Sequence, residues 1–284
     1  MLKCLVLLIL AGCLGDQGSK NYIDFFRDTE AFNLAKAVDK EDLYKISELV
    51  KANQSLLKVT NSIDGSNVLG LSIHSERYRS FQKLIELGAD PNFINPITSH
   101  SILMDAIKPF GSELEWREEN KYAYILLNTG ADPNYIIKED YTNSKGHRIS
   151  AGSALYKASR LNLDLVKSLI SFGADPKVKI GSRNRTPLGN ALKAGKFDIA
   201  EYYIDSIGID FTEPLYTGKK DTLYIQDFIV NKFTKARLRG DEAELARLKD
   251  ENKSIMSDNT RRWQLIEKLE LSGVEFVNYD YSKY

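Results

Sequence analysis

Apolar residues recur at helical spacing along most of the chain, and the same polar punctuation interrupts them again and again. The stretches 81–85 (Phe-Gln-Lys-Leu-Ile), 123–127 (Ala-Tyr-Ile-Leu-Leu) and 166–170 (Val-Lys-Ser-Leu-Ile) each read as part of an amphipathic helix. Behind them come Gly88-Ala89-Asp90-Pro91-Asn92, Gly130-Ala131-Asp132-Pro133-Asn134 and Gly173-Ala174-Asp175-Pro176-Lys177. A degenerate fourth copy, Gly208-Ile209-Asp210-Phe211, follows the stretch 200–204. Glycine takes the left-handed conformation that ends a helix, aspartate bonds nearby backbone amides, and proline forbids helical continuation. Each copy therefore predicts a helix stop.

Upstream of each stop lies the other half of the unit, clearest in Thr186-Pro187-Leu188-Gly189-Asn190-Ala191-Leu192 and then Gly195-Lys196-Phe197-Asp198-Ile199-Ala200. Thr186 is placed to cap a helix and Pro187 to occupy its first position. Further copies are 67–73, 101–107 and 153–159. This segment resembles the Thr-Pro-Leu-His-x-Ala pattern of ankyrin repeats, with Gly70, Met104, Tyr156 and Gly189 where that family carries histidine. Flanking units at 32–61 and 221–276 bring the count to about six repeats. The resemblance implies an all-α fold, an ankyrin-repeat solenoid of helix-turn-helix units with inserted loops. Stops 42, 43 and 35 residues apart exceed the family period of about 33, so the surplus belongs to loops. These are 109–121 (with Phe110 and Trp116), 135–152 (with Tyr135 and Tyr141), and 231–262, where 242–249 reads as an extra amphipathic helix and Arg261-Arg262-Trp263 as a helix start.

The first dozen residues follow another rule. A lysine at position 3 precedes the apolar run 5–10, too short to span a membrane, which needs roughly 20 apolar residues, and typical of a signal peptide. Leu10-Ala11-Gly12-Cys13 resembles the lipobox of bacterial lipoproteins. That resemblance implies cleavage before Cys13 and lipid attachment to it, and Leu14 is similar to an outer-membrane address. The expected organisation is a signal peptide at 1–12, a lipidated linker at 13–24 and a repeat domain at 25–284, facing the periplasm. Cys4 and Cys13 are the only cysteines, so a chain processed this way forms no disulfide.

Composition narrows the chemistry. Lys+Arg and Asp+Glu are each 39, so no overall field selects nucleic acid or an anionic surface. The three histidines, His74, His100 and His147, lack metal-ligand spacing, and there is no Gly-x-Ser-x-Gly elbow, phosphate-binding loop or His-Glu-x-x-His. No catalytic residue, cofactor or metal is expected, and the partner is another protein, bound by a chain that is monomeric beforehand.

In ankyrin repeats partners are bound by the fingers ahead of the Thr-Pro-Leu segment and by the end of the first helix. Carried over repeat by repeat, that selects Asp64 and His74, then His100 and Lys108, then Arg160, then Arg183, Arg185 and Lys193, with Phe93, Trp116, Tyr135 and Tyr141 as aromatic anchors. The later positions are basic, which favours an acidic partner surface. Lipid-anchored repeat proteins of this kind are associated with type VI secretion phospholipase effectors. The resemblance thus implies an immunity protein that neutralises a toxin, with an envelope scaffold as the alternative.

Overall fold

The computed structural model describes residues 22–107, 120–219, 221–230, 240–243 and 256–276. The fold is mostly helical, about half of it helix, with a few short strands. The chain divides into two compact units, Met1–Leu87 and Gly88–Tyr284.

In the first unit, α1 (Phe32–Asp39) pairs with α2 (Leu43–Ala52), and α3 (Val68–His74) with α4 (Tyr78–Glu86). The pairs also pack on each other, α1 on α3 and α2 on α4. Leu34, Val38, Ile46, Leu69, Ile73, Phe81 and Leu84 are fully buried between them. Asn67 accepts a hydrogen bond from the Gly70 N–H (3.0 Å) and so caps α3. Polar contacts then hold the start of α4 to the end of α1. Arg77 donates twice to Asp39 Oδ1 (3.2 and 3.0 Å), the Arg79 N–H donates to Glu41 (2.8 Å), and the buried Ser80 hydroxyl donates to the Val38 carbonyl (2.7 Å).

The second unit repeats the arrangement: α5 (Ile102–Ala106) with α6 (Lys121–Asn128), α7 (Ala154–Ala158) with α8 (Leu163–Ser171), and α9 (Pro187–Lys193) with α10 (Phe197–Glu201). Then follow α11 (Ile225–Ile229), which packs on α9, and α12 (Met256–Leu271), which packs on α10. The expected starts are where the caps are: Ser101, Ser153 and Thr186 accept from the N–H groups of Met104, Tyr156 and Gly189 at 3.2, 3.1 and 3.1 Å. Gly189 leaves room for the next finger, since a Cβ there would lie 3.2 Å from Leu215 Cβ. Arg261-Arg262-Trp263 lies inside α12 and does not start it. Arg262 donates to the Ile229 carbonyl at the end of α11 (2.7 Å) and stacks over Phe197. The expected extra helix at 242–249 falls mostly outside the described residues.

Strands correct the all-α expectation. The lengthened finger closes on itself as a double ladder, β1 (Ile136–Ile137) with β4 (Gly152–Ser153) and β2 (Tyr141–Thr142) with β3 (Arg148–Ile149). A second hairpin joins β5 (Tyr216–Thr217) to β6 (Thr222–Leu223), and single bridges join Ile94 to Ser101 and Ile180 to Arg185. A loop that leaves one helix and returns to the next brings its two limbs together, and its Ile, Tyr and Thr residues favour the extended backbone.

The stops behave as their residues dictate. Gly130 and Gly173 are left-handed (φ +93° and +90°), and each pair of closing bonds runs back over the helix end. Gly130 and Ala131 donate to Leu127 and Leu126, and Gly173 and Ala174 to Ile170 and Leu169. At the degenerate stop a π-turn, Tyr202–Ser206, adds one residue, and the closing bond runs from Ile209 to Tyr203.

The asparagine after the proline does a job that the sequence alone leaves unseen. Asn92 donates to the Gly130 carbonyl (3.0 Å) and accepts from the Asp132 N–H (2.7 Å), joining its stop to the next. Asn134 does the same to Gly173 and Asp175 (2.7 and 2.8 Å). The third copy has Lys177, which carries no acceptor, and across that joint the exposed pair Lys179–Glu213 stands at 3.5 Å. Two exposed hydrogen bonds to backbone are worth about 1 kcal/mol together after exchange with water. Lys177→Asn is expected to raise the melting temperature by about 2–4 °C and Asn134→Ala to lower it by as much, read by calorimetry. No gain from Lys177→Asn would mean that the π-turn has moved Gly208 out of reach.

Candidate protein-binding surface

In the second unit, consecutive fingers are bonded to one another ahead of the first helices. Tyr135 donates through its hydroxyl to the Ser99 carbonyl (2.9 Å), the Tyr141 hydroxyl meets the Ser99 hydroxyl, and Asn143 donates to the Ile97 carbonyl (2.7 Å). The next finger is held likewise: the Ser182 N–H donates to Glu139 (3.0 Å), and Arg185 donates to Asp140 (3.1 Å) and the Ala151 carbonyl (3.4 Å) while stacking over Tyr156. The Ala151 N–H, and Arg185 after it, hold the Asp140 carboxyl below its ordinary range. Burial pushes the Tyr135 and Tyr156 phenols up. Arg185, selected from the sequence as a partner contact, is thus half-buried and spent largely within the fold.

Beyond it opens a cleft of about 490 Å³. It is lined by Arg183 of one finger, Lys193 at the end of α9, Tyr216, Asp221 and Leu223 of the following hairpin, and Asp227 and Phe228 of α11. Arg183 sits 5.9 Å from the Tyr216 ring centroid, and its carbonyl accepts from the Thr217 N–H (2.8 Å). Arg183, Lys193 and Asp221 are exposed, and none of the three has a salt-bridge partner among the described residues. Asp227 uses one carboxylate oxygen on the Tyr224 N–H (2.8 Å) at the start of its own helix. The cleft therefore carries two cations and two carboxylates, so the positive charge of Arg183 and Lys193 is offset there. Tyr216, Asp221 and Asp227 escaped the sequence reading because their finger precedes a helix with no Thr-Pro-Leu segment to set its register.

The other selected residues divide by environment. Arg160 is exposed after α7, without an ion pair among the described residues. His100 and Asp105 meet at 2.9 Å beside the start of α5, and Phe93 is half-buried, its carbonyl accepting from the Ile102 N–H. In the first unit, Asp64 spends Oδ1 inside its own turn on Asn61 and the Ser66 N–H (2.7 and 2.8 Å), leaving Ile63 exposed at the tip. His74 ends α3, its ring 5.6 Å from that of Tyr22. Cys13, Lys108, Phe110 and Trp116 lie outside the described residues.

Among the described residues no three His, Cys, Asp or Glu side chains are grouped to hold a metal ion, and no helix is long and apolar enough to cross a membrane. No protein-family model matches the chain, and a search of curated proteins finds none similar in sequence.

Proposed function

We propose that this chain is a divergent ankyrin-repeat protein, anchored through lipid on Cys13 to the outer membrane and facing the periplasm, which acts by binding another protein and has no catalytic role. Its partner on this reading is a secreted toxin such as a phospholipase effector, which it neutralises as an immunity protein. The observation that supports the reading best is the recurring unit of finger, capped first helix, second helix and left-handed glycine stop. Fingers tied to one another present side chains from a stiff frame, which lowers the ordering cost of binding. Arg160, Arg183 and Lys193 stand exposed on that frame. Inhibition of a toxin needs tight binding rather than turnover, and several acyl chains, at about 0.8 kcal/mol per buried methylene, would hold the inhibitor where the toxin arrives.

The test uses the chain lacking residues 1–13 as bait for the secreted toxin whose gene adjoins its own, beside cells carrying Cys13→Ala. The proposal expects the bait to bind and block the toxin in vitro. It expects the Cys13→Ala protein to fold, leave the membrane fraction and fail to protect. Capture of a resident envelope enzyme in place of the toxin would favour the scaffold reading.

A further inference from the structure

We infer that the cleft lined by Arg183 and Asp227 receives a segment of the partner protein presenting a basic and an acidic side chain next to each other, in place of the acidic surface expected from the basic finger positions. The inference rests on the protein-binding reading above and names the partner's chemistry at one site. Arg183 and Lys193 call for a carboxylate, but Asp221 and Asp227 line the same cleft. A purely acidic segment would set its carboxylates against these two, and like charges brought together as water leaves oppose binding. A purely basic segment would meet Arg183 and Lys193 in the same way. A segment with both signs gives each of the four charges an opposite, so none is desolvated without compensation. The body of such a segment has apolar and aromatic surface to cover in Leu223, Phe228 and Tyr216. Arginine suits the basic position, because its planar guanidinium accommodates carboxylates in a fork and lies flat on aromatic rings.

Small probes isolate the charge pattern. The chain lacking residues 1–13, labelled with nitrogen-15, is titrated with Nα-acetyl-arginine (both charges), Nα-acetyl-arginine amide (cation only) and Nα-acetyl-leucine (anion only). A fragment of this size binds with a Kd of about 1 mM. The two-charge probe is expected to shift amide resonances at 183, 193, 216 and 221–228, and to bind about tenfold more tightly than either single-charge probe. Asp221→Asn with Asp227→Asn, which keeps an acceptor for the Tyr224 N–H, should reduce it to the strength of the leucine probe. Arg183→Gln with Lys193→Gln should reduce it to the strength of the amide. Equal binding of the leucine probe, indifference to the aspartate changes, or no perturbation of the cleft by any probe overturns the inference. If the toxin binds the wild-type chain and all cleft variants equally, this assignment falls while the protein-binding reading stands. If the probes bind as described and no toxin does, the reverse holds.

Discussion

Alanine at position 203 is expected to remove about 3–5 kcal/mol from the stability of the second unit, a large part of the 5–15 kcal/mol typical of a folded domain. Tyr203 is wholly buried, and its hydroxyl meets that of Ser159 at 2.7 Å. Ser159 donates in turn to the Leu155 carbonyl (2.7 Å), so the phenol ties the π-turn to the C-terminal end of α7. Tyr203→Phe keeps the ring and loses one buried hydrogen bond, which costs about 1 kcal/mol. Urea unfolding of the two variants separates the terms, and an alanine variant no weaker than the phenylalanine one would show that the ring packs nothing. The same residue sets a pH dependence. Burial raises the phenol's pKa well above its ordinary 10.0, so the folded chain holds this proton more tightly than the unfolded chain does. Its contribution is fully present below pH 10 and is lost as the pH climbs toward the folded phenol's own pKa, because only the unfolded chain ionises in that window. Tyr203→Phe should flatten that alkaline loss.

If the proposed toxin is the partner, reversing both cations of the cleft, Arg183→Glu with Lys193→Glu, is expected to weaken its binding by about 100-fold or more, since both changes turn the attraction for the segment's carboxylate into repulsion at a site that loses water on binding. Neither side chain has a salt-bridge partner among the described residues, and the loss of the Arg183–Tyr216 contact with the added repulsion from Asp221 and Asp227 should cost about 1 kcal/mol, which urea unfolding of the variant measures separately. Lys167→Glu, on the exposed side of α8, serves as the control and should leave affinity unchanged. Titration calorimetry gives both numbers. Loss of affinity in the control as large as in the double variant would mean that net charge, and not the cleft, governs the encounter.

Local signals in the sequence carried the punctuation of this fold. Ser101, Ser153 and Thr186 cap within their own first turns, and Gly130 and Gly173 close helices by bonds a few residues long, so each could be read where it stands. What escaped depends on another repeat. Asn92 and Asn134 look like ordinary turn residues until the next stop supplies a carbonyl and an amide about forty positions away. The only trace in the sequence is the asparagine repeated in two copies and replaced by Lys177 in the third. Arg185 was legible as a finger cation, but its engagement with Asp140 and Tyr156 was not, since both partners lie on the preceding repeat. The carboxylates of the cleft were missed for a related reason. Asp221 and Asp227 belong to a repeat without the Thr-Pro-Leu segment, and nothing local brings them into one cleft with Arg183.

Hydrogen exchange on the chain lacking residues 1–13, with and without the proposed toxin partner, tests the proposed binding mode most directly. Binding through the fingers and first helices predicts slowed exchange at 178–196 and 213–230, with the second helices α8 and α10 exchanging as they do in the free chain. Protection confined to α8 and α10, with the finger segments unchanged, would contradict it.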